Sequence, residues 1–297
     1  DVIGDLALAE ILESQILLLL ADRESFFTDP AIVYLGDVAG GGSTASKIPL
    51  VGLDGYDSMA AVSEGSATSN TALTDASAVV TVARQALQYQ MSDLARTIDS
   101  TGVINYKRFA QSMVGSANMR LQGMIAGIAD DFSSTVGTTT VDLTIDDFMD
   151  ATYTLDLASV PGPFLWMPHN RQYADFRNSL LSVGGAVQFL TATAEQMALR
   201  GPGYKGEFLG VRIAQSSKVP TANGGADRAS GMWGRGAIGY KIARVAPDPM
   251  VPAIYAGPIM VEVERDAAYA LGKVVGNFYC GVIEIQDTCG VSIITDA

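Results

Sequence analysis

The sequence predicts an α+β fold, and three observations carry the prediction. Helical and strand-like segments are mixed without the regular strand–helix–strand alternation of a parallel sheet. One long segment, 105–136, keeps a helical period throughout. Residues 36–75 are rich in glycine, serine and alanine, with short strand signals and no helical period.

Composition narrows the function classes. The chain has 297 residues, 48% hydrophobic and 17% charged, enough apolar material for a large core. Its net charge of −13 argues against a surface that grips nucleic acid or an anionic membrane, since both need clustered Lys and Arg. Residues 1–75 hold 12 acids against only two bases, Arg23 and Lys47. A single histidine, His169, excludes multi-histidine metal sites and leaves little room for a Ser-His-Asp system. Two cysteines, Cys280 and Cys289, are too few for a four-cysteine zinc site, and buried free thiols are the expectation. The densest apolar run, 16–21, is far short of the ~20 residues a bilayer needs, and no basic region precedes it as in a signal peptide.

The elements follow in order. Residues 5–23 read as an amphipathic helix, with Leu6, Ile11, Ile16, Leu19 and Leu20 on one face. Such a helix must dock on the body or on a partner. The stretch 36–75 reads as a long β-hairpin arm containing KIPLVGL, because compact domains rarely keep loops of this length without a task. The alternation in 76–98 reads as a strand followed by a short helix. A spine helix is expected over 105–136, capped at Asn105 and stopped at Gly137, with Phe109, Met113, Ala117, Leu121, Ile125 and Phe132 on its buried face. Thr144 and Asp147 have the spacing of a capping box that opens a helix through Asp156. PGPFLWMP reads as a turn and a buried strand, and 170–181 as a helix with Tyr173, Phe176, Leu180 and Leu181 on one side. Residues 206–220 read as one strand, 221–231 as a loop and 232–245 as strand-like. A proline-rich connector leads to IMVEVERD, a strand. YALGKVVGNFY reads as strand or helix, and CGVIEIQDTCGVSIITD as a closing hairpin.

The search for chemistry is nearly empty. Gly201, Gly203 and Gly206 match a dinucleotide fingerprint in spacing, but a strand follows where a helix is required, so a turn is expected. Asp130/Asp131 and Asp146/Asp147 are neighbours that point to different helix faces, which suits solvated helix-end charges better than metal ligands. His169, at a strand-to-helix junction, is expected to be a helix-capping or surface histidine. A hydrolase or lyase using it with a nearby carboxylate is the remote alternative. A secreted binding module is a third reading, weakened by the low cysteine count. Lys47, the one lysine in the first hundred residues, lies in the arm. An arm that cannot pack on its own body packs on a neighbour, and this is the profile of an assembly protein.

The order of segments resembles a major capsid protein of tailed bacteriophages, with the Hong Kong 97-like fold. The likeness rests on KIPLVGL and AAVSEGSA, on SAVVTVARQALQYQMSDLAR, on the long helix, on PFLWMPHNRQYADFRNSL, on GEFLGVRIAQSSKVP and on the closing strands. It implies an N-terminal arm over 1–34 and an extended β-hairpin, the E-loop, over 35–75. It further implies a peripheral domain over 76–158 with its spine helix at 105–136, an axial domain over 159–257, and a return to the peripheral sheet over 258–297. The implied function is a non-enzymatic coat subunit that forms pentamers and hexamers around double-stranded DNA, without sequence-specific binding, cofactor, metal or membrane. Lys47, Ile48, Pro49, Leu50 and Glu64 are then the candidate inter-subunit contacts. Scaffold, protease, portal and decoration proteins are the implied partners, and a virion assembled in the bacterial cytoplasm the implied location. A start at Asp1 without Met suits members that lose a leading segment to a protease. One member links its E-loop lysine covalently to a neighbour's asparagine; Lys47 lies in the corresponding segment, but the asparagine and the catalytic glutamate are not matched to positions here, so the cross-link is not among the expectations. An acidic 1–75 segment facing the interior would avoid sticking to DNA. An encapsulin-like nanocompartment, with the same fold and protein cargo, is the alternative.

Overall fold

The computed structural model describes residues 16, 31–38, 45–51, 62, 64, 75–98, 106–183, 189–191, 193–196, 203–245 and 253–296. The expected N-terminal helix lies outside them, except for Ile16, which is helical and fully buried in the main hydrophobic cluster.

Three sheets organise the chain. The first has six strands. The long strand β15 (Leu271–Glu284) is central, flanked by β14 (Ile259–Asp266) on one side. β4 (Ala83–Ser92) pairs along its other edge, and β12 (Ile238–Ala243) follows β14 along the first edge, pairing with residues 280–284. The parallel edge strand β1 (Ile32–Val38) joins β12, and β13 (Ala253–Ala256) joins β14. In β4, Leu87, Tyr89 and Met91 are more buried than Ala86, Gln88 and Gln90 between them, the period-two pattern of a half-buried strand.

The second sheet has eight strands. Its centre is β11 (Asp227–Trp233), held between β16 (Gly290–Asp296) and β6 (Phe164–Met167). β9 (Val211–Ala214), β8 (Tyr204–Phe208) and β7 (Phe189–Thr191) extend one side. β5 (Thr135–Val136) pairs in parallel with β16, and β10 (Thr221–Ala222) pairs with β11. The third sheet is only β2 (Ala45–Val51) with β3 (Asp75–Thr81).

Helices α1 (Asp93–Ile98), α2 (Tyr106–Asp130), α3 (Ile145–Leu157) and α4 (Asn170–Val183) complete the frame. The spine α2 has 25 residues, about 37 Å at 1.5 Å per residue. It bridges the two large sheets. Near its start, Met113 covers Gly276 of β15; at its end, Ala129 presses on Gly231 of β11. Only strands without a side chain at those points let the helix come so close. α3 opens with the expected capping box. The Asp147 N–H donates to Thr144 Oγ1 at 3.3 Å, and the Thr144 N–H donates to Asp147 Oδ2 at 2.9 Å. α3 and α4 bury Phe148 and Phe176 against Trp166 and Phe208, with ring centroids 5.1–5.5 Å apart in tilted and edge-on pairs.

Several local expectations are corrected. The spine ends at Asp130 rather than 136, and Gly137 does not stop it. Tertiary partners compete for the chain there: Phe132 packs on Gly290, the Ser133 N–H donates to Asp287 Oδ1 at 2.8 Å, and Thr135–Val136 become a strand. Gly137 serves a different need, because a Cβ there would lie 2.5 Å from the Ile294 carbonyl. The segment 206–220 is not one strand but belongs to a hairpin, β8–β9, turning through Leu209 and Gly210, both at positive φ. The expected loop 221–231 contains the start of the central strand β11. The proline-rich connector contains β13, which Gly257 turns into β14. Leu181 is exposed rather than packed with Phe176. Finally, β15 and β16 do not form a hairpin: the short turn Asp287–Cys289 sends β16 into the other large sheet.

Candidate assembly surface

Within the segment expected to be an arm, β2 pairs with β3 as a separate two-stranded sheet, whereas 36–38 belong to β1 of the six-stranded sheet. The strands run antiparallel from Ala45↔Thr81 at the root through Lys47↔Val79 to Val51↔Asp75. Directly paired residues share a face. One face therefore carries Ala45 with Thr81, and Lys47 with Val79, all exposed. The other carries Ser46 with the buried Val80, and Ile48 with Ala78, both half-buried. Pro49 and Leu50 continue β2 opposite Ser77 and Ala76. A proline suits a two-stranded sheet, where each strand keeps an edge that needs no donor. Between the strands, Glu64 is an exposed turn residue; most of 52–74 lies outside the described residues. Lys47, Ile48, Pro49 and Leu50 thus fall on one strand, with Lys47 on the exposed face.

Among the contacts that hold the root to the body are two that sequence reasoning did not find. Lys241 of β12 donates through Nζ to Ser46 Oγ at 2.7 Å. Gly281 of β15 lies against the Thr81 carbonyl and leaves no room for a side chain. Both partners are far away in sequence, so no local signal marks them. Val80 and Val82 bracket this point in the core, which makes it a fixed pivot for the strands beyond.

His169 performs the capping task. Its Nδ1 accepts the Arg171 N–H at 3.3 Å, while its own N–H donates to Gln172 Oε1 at 3.1 Å. Gln172 is fully buried, and its Nε2 lies 3.0 Å from the Arg228 carbonyl and 2.9 Å from Thr295 Oγ1, tying α4 to β11 and β16. Burial lowers the His169 pKa first, and nearby Arg228 lowers it further. The charge that acts on it is thus cationic, opposite to the carboxylate a general base of this type requires.

Elsewhere the acids and thiols have structural settings. Asp147 closes the capping box. Asp130 at the spine's end has its pKa raised by burial and then by Asp131. No group of three or more His, Cys, Asp or Glu able to hold a metal occurs among the described residues. Cys280 and Cys289 are both buried free thiols, and burial pushes Cys280 up to about 12. No helix among the described residues is long and apolar enough to cross a membrane.

No protein-family model matches the sequence, and no curated protein matches it by sequence. Solved structures do match. The capsid of cyanophage P-SCSP1u aligns with a TM-score of 0.64 at 14% identity, covering 92% of this chain and 88% of that one. The capsid of Ralstonia phage GP4 aligns with a TM-score of 0.61 at 12% identity, covering 93% and 92%. The SrpI encapsulin of Synechococcus elongatus PCC 7942 aligns with a TM-score of 0.57 at 13% identity, covering 75% and 77%. At these identities the shared property is the fold.

Proposed function

We propose that this chain, which has the Hong Kong 97-like fold of tailed-phage capsid proteins, is a major capsid protein. It self-assembles as pentamers and hexamers into an icosahedral shell that encloses double-stranded DNA. The observation that carries the reading is the arm: β2–β3 forms a sheet of its own, pinned at its root and exposing Lys47 and Val79. A subunit gains from such an extension only if another subunit covers it. Each contact can be modest, because a closed shell repeats it many times.

In this reading 1–34 is the N-terminal arm and 35–75 the E-loop, continued by β3. Residues 76–158 form the peripheral domain, 159–257 the axial domain, and 258–297 the return to the peripheral sheet. Strands cross these segment bounds: β5 and β16 join the eight-stranded sheet, and β12 and β13 join the six-stranded one. Lys47, Ile48, Pro49, Leu50 and Glu64 contact the adjacent subunit. The role is structural and non-enzymatic, in a virion assembled in the bacterial cytoplasm. Scaffold, protease, portal and decoration proteins act on or join the shell. The acidic 1–75 segment faces the interior; a density map placing it outside overturns that assignment.

A nanocompartment is the second reading, favoured by the encapsulin match. The phage reading is preferred because the matching phage capsids cover 84–93% of this chain against 75% for the encapsulin. Electron microscopy of the purified native protein, with nuclease-resistant nucleic acid assayed in the same fractions, separates them. Uniform shells containing DNA are expected. Uniform shells packed with protein support the nanocompartment. A persistent monomer or dimer under assembly conditions overturns both.

A further inference from the structure

Two helix faces on this chain complement each other and are exposed among the described residues. On α3, Met149, Tyr153 and Leu157 are 44%, 65% and 72% exposed. They recur every fourth residue, so they form one stripe. The buried stripe of the same helix is Phe148, Ala151 and Leu155. The outward stripe is therefore additional to the one that folds the domain. α3 carries four acids, Asp146, Asp147, Asp150 and Asp156, and no base. Asp146 and Asp150 are exposed beside the stripe.

α4 has the opposite character. Its inner face buries Tyr173, Phe176 and Leu180, and its one acid, Asp175, is buried beside Arg171. Its outer face presents Ala174, Arg177 and Leu181, the last 66% exposed. These three are spaced along one helical face. Arg177 sits over the Tyr173 ring, 6.0 Å from its centroid. Neither Arg177 nor Asp146 or Asp150 forms an ion pair among the described residues. The two helices already meet inside the chain, where Ile145 N–H donates to Ser179 Oγ at 3.0 Å and Phe148 packs on Phe176. Their outer faces remain exposed in spite of that contact.

We infer that the acidic, apolar outer face of α3 on one copy seats against the basic, apolar outer face of α4 on a neighbouring copy. Asp146 and Asp150 meet Arg177, while Tyr153 and Leu157 cover Leu181. The contact joins two different surfaces, so it is head-to-tail, the class of contact that builds a ring such as a pentamer or hexamer when its rotation closes. The apolar stripe supplies burial, and the charges set direction by penalising α3-to-α3 pairing. This seam rests on the shell reading and adds to it the surfaces through which a capsomer is built.

The test uses the full chain. A Tyr153→Cys variant and a size-tagged Ala174→Cys variant are co-assembled and treated with a short bismaleimide. Cys280 and Cys289 are buried and do not compete. A covalent dimer of one tagged and one untagged chain is expected. Tyr153→Cys linking to itself indicates a two-fold contact and overturns the seam, as does the absence of cross-link in assembled shells. Independently, Asp150→Arg is expected to lower shell yield by about tenfold, and addition of Arg177→Asp to restore it. Unchanged yield from the single variant, with an unchanged melting temperature, overturns the seam. If the wild-type chain forms no shells, the shell reading fails. The same mixed cross-link on concentrated subunits then decides the seam alone: a mixed dimer supports it and no product overturns it.

Discussion

Gly281 of β15 lies directly against the carbonyl of Thr81, the last residue of the arm's return strand. Its neighbour in register across the sheet is Lys241, the residue that holds Ser46 of the other arm strand. Both arm strands are therefore fixed to the same point of the six-stranded sheet. A side chain at 281 must displace backbone, which does not yield as a flexible side chain does. Gly281→Val is expected to cost about 1–3 kcal/mol as an overpacked core and to swing the arm root. Circular dichroism should show a folded subunit of lower melting temperature, and negative-stain microscopy few closed shells. Normal shells with an unchanged melt would show that the root tolerates movement.

Lys241→Met keeps most of the aliphatic stem and removes the charged donor to Ser46. A hydrogen bond from a charged, partly buried group is worth about 1–2 kcal/mol here. Amide exchange in 45–48 and 77–81 should rise by roughly 5- to 30-fold, with the exchange of β14 and β15 unchanged. Equal acceleration across the whole six-stranded sheet would mean that Lys241 stabilises the body instead of the arm.

The pH dependence of stability has a definite sign at His169. Its folded pKa lies below the ordinary value, through burial first and Arg228 second. The unfolded chain therefore binds the proton more readily than the folded one. The contribution of neutral His169 is fully present above the unfolded pKa of about 6.5 and is lost as pH falls from there toward the folded value. Protonation also removes the Nδ1 acceptor used by the Arg171 N–H. Melting temperature should fall on acidification just below pH 6.5, and less steeply in His169→Asn. Asp175 and Glu284, whose pKa values are raised chiefly by burial, contribute in the opposite direction at lower pH. The comparison is therefore made between wild type and variant rather than on the wild-type slope alone. Equal slopes for the two would remove His169 from the account.

The thiols give a simple accessibility test. Cys280 is fully buried, with its pKa pushed up to about 12 by desolvation, and Cys289 is buried with its pKa raised for the same reason. Thiolate is the reactive form, so neither should alkylate in the folded subunit at pH 8. Iodoacetamide should leave the native chain unmodified and label both cysteines after denaturation. Rapid labelling of the native chain would show that the β15–β16 junction opens.

Features written within one or two turns of chain were determined by the sequence itself. The capping box of Thr144 and Asp147 needs only residues three apart. The alternation in β4 and the buried face of α2 from Met113 to Ile125 follow from period alone. KIPLVGL was legible as a strand, and its described part, β2, carries Lys47 and Ile48. Tertiary structure decided what depends on partners distant in sequence. The spine stops at Asp130 because Gly290 and Asp287 recruit the residues that follow it. β16 leaves β15 because β11 and β5 offer it pairing on both edges. On α3, two stripes both have helical spacing, Phe148–Ala151–Leu155 and Met149–Tyr153–Leu157. Periodicity cannot rank them. Only the sheet beneath, with Trp166 and Phe208 waiting for Phe148, selects the stripe that turns inward and leaves the other exposed.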